Sequence, residues 1–449
     1  MYRDLTRGTI LRSLLLFALP MLAGDILQQL YNIADTLIVS RAIGRDALAA
    51  VGSAYTLMIF LTSILLGLSM GAGALFSICR GRGDESGLRR SIVHAFGLIG
   101  VCTLLLTALA YALLPALLRL LQVPESVSPL MRTYLAVIFA GIPATFLYNF
   151  FACLLRSVGN SMTPLVFSGI SALGNVALDL LFVLVFPWGV AGAAWATAAS
   201  QAISAVLCIL YLRRKAPELI FARADCRMDG ELLKQTAHFS FVTALHQSSL
   251  YIGKLLVQGA VNTGGTDMIS AYTATTRIEG FANSFGDSGS AATSVLVAQN
   301  RGAGKEERVK ESFRSSLFLM LAMGLAMSLI MYVSASTSVG FMFGTRSGAA
   351  FENARDYLKL VALFYTLCFT GNTFAGYFNG IGKVSVPFLG ATSHIALRVV
   401  LSWLLVGKMG LPAVALAAGL GWVLVNALWT VIKWGMERKV KMQTVKKSK

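Results

Sequence analysis

Twelve times along its 449 residues the chain runs for about twenty residues or more with few charges, which is bilayer length for an α-helix. In hydrocarbon every backbone N–H and C=O must be satisfied within the protein, so only helices or closed barrels can span. The runs are continuous and do not alternate, which selects helices over barrel strands. Composition agrees: 56% of residues are hydrophobic and only 13% charged, where a soluble chain carries roughly 25%. Mean hydropathy is +0.69. A soluble enzyme, a secreted disulfide scaffold and a disordered chain are excluded. The expected fold is an all-α polytopic membrane protein of twelve transmembrane helices.

The spans read from 11–41 to 190–212 in a first group of six, and from 237–262 to 411–434 in a second. This gives an N-terminal six-helix lobe (1–212), an inter-lobe linker (213–236), a C-terminal six-helix lobe (237–434) and a basic tail (435–449). Segments on the side of the two termini hold 27 of the 38 Lys and Arg residues, and the opposite side holds seven. The positive-inside rule therefore puts both termini in the cytoplasm. The net charge of +17 reports this sidedness and an affinity for anionic lipid, not a nucleic-acid partner. Six cysteines are scattered without CxxC or Cys/His pairing, so neither disulfides nor a metal cluster are expected. The opening MYRDLTRGTILRS has no small-residue cleavage site and reads as the lead-in to a retained helix.

The two groups of spans resemble each other. Gly159 and Pro164 after the fourth span recur as Gly382 and Pro387 after the tenth, offset by 223. Arg80-Gly-Arg-Gly83 recurs as Arg301-Gly-Ala-Gly304, offset by 221, and Ala54-Tyr-Thr as Ala271-Tyr-Thr. An even number of spans per repeat makes the repeats parallel, related by a pseudo-twofold axis along the membrane normal, which is transporter architecture. Gly67, Gly71 and Gly73 form a small-residue helix-packing surface. The many Met and Phe residues suit either a cavity for apolar ligands or a lipid face.

Ionisable groups inside the hydrocarbon cost at least ~2.5–3.5 kcal/mol each, so they are candidates for function. The acids are Asp25, Asp35, Asp179, Glu279 and Asp287. Asp35 lies eight or nine residues inside the outer end of span 1. Asp179 lies eight residues before Pro187, and Thr197 eight after Gly189, on either side of the turn joining spans 5 and 6. At about 1.5 Å per residue all three sit at one depth. Asn175 shares a helix face with Asp179. Two carboxylates that meet in a low dielectric cannot both stay charged cheaply, so a proton or a cation binds between them. Asp25 faces a cavity or pairs with a neighbouring helix. Glu279 reads as a local ion pair with Arg277, and Asp287 sits among Ser and Gly where water can enter. His246 and Gln247 on span 7 are hydrogen-bonded core groups or relay members. Arg398, one turn after His394, reads as paired.

PMLAGDILQQLYNIADTLIVSRAIGRDALAAVG resembles the opening helix of the multidrug and toxic compound extrusion (MATE) family. CLLRSVGNSMTPL, NVALDLLFVLVFPWGVAGAAWATAASQ and VAQNRGAG resemble its fourth-to-fifth span loop, its Asn-xxx-Asp hairpin and its eighth-span exit. The resemblance covers nearly the whole chain. It implies a bacterial cytoplasmic-membrane antiporter that exports organic cations and amphipathic drugs, needs no cofactor and is driven by H⁺ or Na⁺. Similarity to the DinF-like branch implies coupling in the N-terminal lobe, at Asp35, Asn175, Asp179 and Thr197, with Tyr134 and Asn149 as further members. These four would be the Na⁺ ligands if sodium is the ion. The NorM-like branch uses acids on spans 7 and 10, and span 7 has none here. Asn175 and Asp179 fall opposite Arg398 and Ser402 in the second repeat. A monomer suffices for this scheme.

The main rival is a lipid-linked saccharide flippase of the same superfamily, whose cavity would carry Lys and Arg for pyrophosphate. An enzyme is disfavoured, because no clustered nucleophile or HExxH motif is present. The lack of GxxxxGK[ST] likewise disfavours an ATP-driven pump.

Overall fold

The computed structural model describes residues 4–43, 45–120, 127–220 and 223–447. Gly44, at the expected outer end of the first span, and Arg3 and Lys449 of the charge tally lie outside them. The first half of the chain forms α1 (Ile10–Ala42), α2 (Arg45–Arg82), α3 (Glu85–Leu120), α4 (Ser128–Ser157), α5 (Met162–Asp179) and α6 (Gly189–Lys215). A π-helical turn, Leu180–Val185, continues α5. The second half forms α7 (Gly230–Asn262), α8 (Thr266–Gly302), α9 (Glu306–Phe343), α10 (Ala349–Ala362), α11 (Tyr365–Gly380), α12 (Ser385–Met409) and α13 (Pro412–Lys447).

Among the described residues nine helices are long and apolar enough to cross a membrane. The pair α10 and α11, bent by 53°, makes a tenth. The expected tenth span (354–379) is therefore two helices with a break at Leu363 and Phe364. The expected spans on α7 and α8 are long helices, but composition alone does not qualify them. Polar stretches such as TATTRIEGFANSFGDSG on α8 lower their apolarity below what lipid exposure demands.

The sequence repeat is also a repeat of backbone hydrogen bonds. At the end of α4, Gly159 has φ +90° and Asn160 N–H donates to the Leu155 carbonyl at 2.9 Å. At the end of α11, Gly382 has φ +81° and Lys383 N–H donates to Phe378 at 2.8 Å. Both are left-handed helix stops, where any residue with a Cβ would be strained. The ends of α2 and α8 match in the same way, with Gly83 at φ +71° and Gly304 at φ +69°.

The chain divides into two compact units, and the division does not fall at the linker. One unit comprises Met1–Ser248 with Val295–Val309, the other Ser249–Ser294 with Lys310–Lys449. Glycines of α2 explain what the first unit gains from the second half of the sequence. A Cβ at Gly71 would overlap the Phe239 carbonyl on α7, and one at Gly81 the Gln299 carbonyl on α8. Without side chains the backbones close to contact, the use expected of small residues on this helix.

Within the first unit α4 packs against α2, α3 and α6, and α1 lies along α5. Phe76, Phe96, Phe146, Phe150 and Phe151 form one cluster of edge-on and tilted rings between α2, α3 and α4, with contacting centroids 5.4–6.1 Å apart. These phenylalanines are packing, neither lipid face nor ligand cavity. The linker is pinned to the start of α3. Arg89 pairs with Asp225 at 3.3 Å, and the Asp229 N–H donates to His94 Nε2 at 3.0 Å. In the second unit α13 packs against α10, α11 and α12. Its core holds Tyr357, Tyr365 and Phe369, all fully buried.

Candidate functional site

Helical spacing puts Gln28, Tyr31, Asn32 and Asp35 along α1, which lies against α5. On α5, Ser171, Asn175 and Asp179 succeed one another at i, i+4 and i+8, and all three are buried. The contact of the two helices brings the Asp35 and Asp179 carboxyls within hydrogen-bonding reach of each other. With its amide turned to suit its neighbours, Asn175 donates from Nδ2 to Asp179 Oδ2 at 3.1 Å. Its Oδ1 accepts from the Thr197 backbone N–H at 3.2 Å. One oxygen of each carboxyl, Asp35 Oδ1 and Asp179 Oδ1, is buried with no hydrogen-bond partner.

Thr197 takes part differently from what the sequence suggested. Its hydroxyl donates to the Ala193 carbonyl of its own helix at 3.2 Å, and its backbone N–H faces the site. Tyr134 is buried beside Asp35 and Asp179, within range of both charges. Asn149 is not drawn in: its amide donates to the Thr145 carbonyl one turn back, at 2.8 Å. Sequence reasoning missed Tyr31, which stands within range of Asp35 and Asp179, and Tyr55, within range of Tyr31 and Tyr134. Tyr55 accepts from Asn32 Nδ2 at 3.4 Å. The signal for Tyr31 was present, four residues before Asp35 on the same face. Nothing in the sequence announced the π-helical turn that begins right after Asp179, a distortion often met at functional sites.

Below the carboxyl pair a small polar cavity, with room for about one water molecule, lies between α1, α4, α5 and α6. Gln28, Tyr31, Ser171, Asn175, Ser200 and Gln201 line it. Asn175 belongs to both cavity and pair, so water in the cavity would reach the carboxyls through its amide.

The other predicted residues lie elsewhere. Asp25 is in electrostatic range of Tyr148. Gln247 Nε2 meets the Met70 sulfur at 3.6 Å, and His246 is half-buried beside it on α7. The local pair expected between Glu279 and Arg277 does not form among the described ion pairs. Arg277 is exposed, because i and i+2 point to different sides of a helix. Glu279 instead accepts from the Tyr365 hydroxyl at 3.3 Å and lies in the field of Arg398 and Lys254. Asp287 is exposed, within range of Lys254.

The MatE family model matches the chain twice, over residues 20–181 and 241–404. The chain belongs to the MatE family. The two matched segments begin 221 residues apart and end 223 apart, the offsets of the repeated loops. Among curated relatives, "Probable multidrug resistance protein YpnP" of Bacillus subtilis (strain 168) is 28% identical, with 99% of each chain covered. "FAD transporter" of Shewanella oneidensis is 26% identical over 69% of each. Among solved structures, a MOP superfamily transporter from Pyrococcus furiosus Vc1 superposes with a TM-score of 0.90 at 21% identity, covering 97% of each chain. For that protein, a binding pocket of reverse polarity suggests a different function. A multidrug resistance MATE family transporter in an outward-facing conformation gives 0.88 at 21%, again over 97% of each. At such identity these two matches speak for the fold. As a MatE member the chain is an all-α, multi-pass membrane protein.

Proposed function

We propose that this MatE protein is a secondary active exporter in a bacterial cytoplasmic membrane. It moves cationic and amphipathic drugs outward in exchange for H⁺ or Na⁺. The Asp35–Asp179 pair carries this reading. A hydrogen bond between two carboxyl groups exists only while one proton is shared. Losing that proton leaves two anions in contact, which a cation must then neutralise. The pair thus has two states that differ by one bound positive charge, which is the minimum a coupling device requires. Asn175 orients Asp179, and the unpartnered carboxyl oxygens are the free ligand positions.

Ion binding drives transport only if it distinguishes two conformations. α1 offers the moving part. Pro20 lies inside this helix and has no N–H for the carbonyl one turn before it, so the helix is weakened fifteen residues from Asp35. Coupling confined to the first six helices fits the DinF-like resemblance. The basic segments argue for cytoplasmic termini. The names of the multidrug resistance relatives support drugs as the cargo.

The test is ethidium efflux from proteoliposomes under a pH gradient or a sodium gradient imposed separately. Efflux driven by one gradient in the parent protein and lost in Asp35→Asn is the expected result, and it names the ion. Equal efflux in Asp35→Asn and parent protein sinks the assignment.

A further inference from the structure

The offset of 223 between the ends of the two matched segments, which is also that of Gly159 and Gly382, sets Asn175 opposite Arg398 and Asp179 opposite Ser402. At the place where the first half has an amide and an acid, the second half has a guanidinium and a hydroxyl. Arg398 and Glu279, both half-buried, stand in range of each other and of the exposed Lys254, while the exposed Asp287 adds a second acid in range of Lys254. Two cations thus meet two acids. In the first half no Lys or Arg among the described residues acts on Asp35 or Asp179.

The opposite charges are held apart. No Glu279–Arg398 contact within 4 Å occurs among the described ion pairs. Arg398 Nη2 donates to the Tyr272 hydroxyl at 3.4 Å, and the Tyr365 hydroxyl donates to Glu279 Oε2 at 3.3 Å. Tyr272 and Tyr357 pack edge to face at 5.9 Å, and all three tyrosines are at most 2% exposed. Arg398 Nε and Glu279 Oε1 remain buried without partners. The groups around Arg398 are completed by Cys368 on α11 and by His394, one turn before it, which stacks edge-on against Trp422. The tyrosines fix the position of each charge, so Arg398 neutralises Glu279 through the field and not through a direct bridge.

We propose that Arg398 is a tethered counter-ion. It fills in the second half the role that an exchangeable ion fills at Asp35 and Asp179, so the protein exchanges coupling ions at one centre only. This rests on the reading of Asp35 and Asp179 as the coupling centre. A guanidinium that never dissociates keeps Glu279 compensated through the whole cycle and leaves no reason for a second ion to bind. Removing it makes Glu279 a new ion-dependent acid.

The experiment counts ions per ethidium in proteoliposomes, from the ethidium gradient that just balances an imposed ion gradient. Arg398→Gln is expected to raise the count by one. Arg398→Lys, which keeps the charge, and Glu279→Gln/Arg398→Gln, which removes both, are expected to retain the parent count. An unchanged count in Arg398→Gln, or a raised count that persists in the double variant, overturns the proposal. If Arg398→Gln folds in detergent but does not reconstitute into liposomes, a thermal-melting cycle in detergent over the two single variants and the double reads the same compensation without transport. The double variant should then melt above Arg398→Gln, and strictly additive losses overturn the proposal. Asp35→Asn is run alongside. If it keeps its ion drive, the coupling-centre reading fails by itself, while the melting cycle still judges Arg398.

Discussion

The polar centres of the two halves share one matched place in a duplicated fold, Asn175 against Arg398, and solve opposite problems. The first centre buries two acids in contact and supplies only neutral partners: Asn175, Tyr31 and Tyr134. It is left one positive charge short. The second sets Glu279 near Arg398 and Lys254, fixed by tyrosine hydroxyls, and is complete as built. The repeat therefore preserves turns, glycines and helix order while leaving the charge at its centre free to diverge. Fold duplication does not imply duplicated chemistry.

The largest effect that would break this contrast is on transport. Asp179→Asn should reduce ion-driven ethidium efflux to the level of empty liposomes, while the purified protein still melts cooperatively. Residual driven efflux would mean that ion binding does not need the pair.

Stability should separate the halves next. Glu279→Gln leaves Arg398 half-buried without its counter-charge and should cost about 3 kcal/mol in detergent unfolding. Asp35→Asn removes one of two crowded acids and should leave stability unchanged or raised. Equal losses in both would remove the distinction between an incomplete and a complete centre.

A smaller change sharpens the first centre alone. Asn175→Ala deletes one hydrogen bond to Asp179, worth about 1–1.5 kcal/mol, and should weaken the apparent ion affinity roughly tenfold at unchanged expression. Ion titration of driven efflux reads this directly.

The smallest effect concerns the matched loops. Asp84 caps α3, accepting from the Gly87 N–H at 2.8 Å, whereas the aligned position is Lys305, whose ammonium donates to the Thr6 carbonyl at 2.9 Å. The Gly87 N–H holds the Asp84 carboxyl below the usual aspartate range. The cap is therefore fully present above about pH 4 and fades as pH falls through the lowered value. Asp84→Ala should cost about 1 kcal/mol at neutral pH. The parent and variant melting curves should converge in acid, and a constant gap down to pH 2 would contradict the capping role.

Much of this could be read from the chain. Counting residues inward from Pro187, Gly189 and the end of the first run put Asp35, Asp179 and Thr197 at one depth, because a helix has a fixed rise. The glycine pairs Gly159/Gly382 and Gly83/Gly304 signalled matching helix ends, because only glycine adopts that conformation without strain. What the sequence hid depended on orientation rather than depth. Thr197 was expected to offer its hydroxyl and instead turns its N–H to the site. Asn149 was expected near it and spends its amide on its own helix. Glu279 was paired with Arg277 by proximity in the chain, while its cation, Arg398, lies 119 residues further on. Apolar length also overstated α7 and α8, whose polar faces only packing can explain.

The N-terminal segment has a consequence for how the protein is made. Asn300 donates to the Leu5 carbonyl at 3.2 Å, Lys305 holds Thr6, and Arg308 donates to the Gly8 carbonyl at 3.1 Å. Leu5 is buried beneath this clasp, at 1% exposed. Residues 5–8 thus find their partners only after some 300 more have been made. At about 5–20 residues per second that wait is roughly 15–60 s. During this interval the segment has no native seat, although α1 to α7 are already threaded. Closing the clasp is a late step in biogenesis, and the segment of Leu5, Thr6 and Gly8 reaches its native place well after it is made.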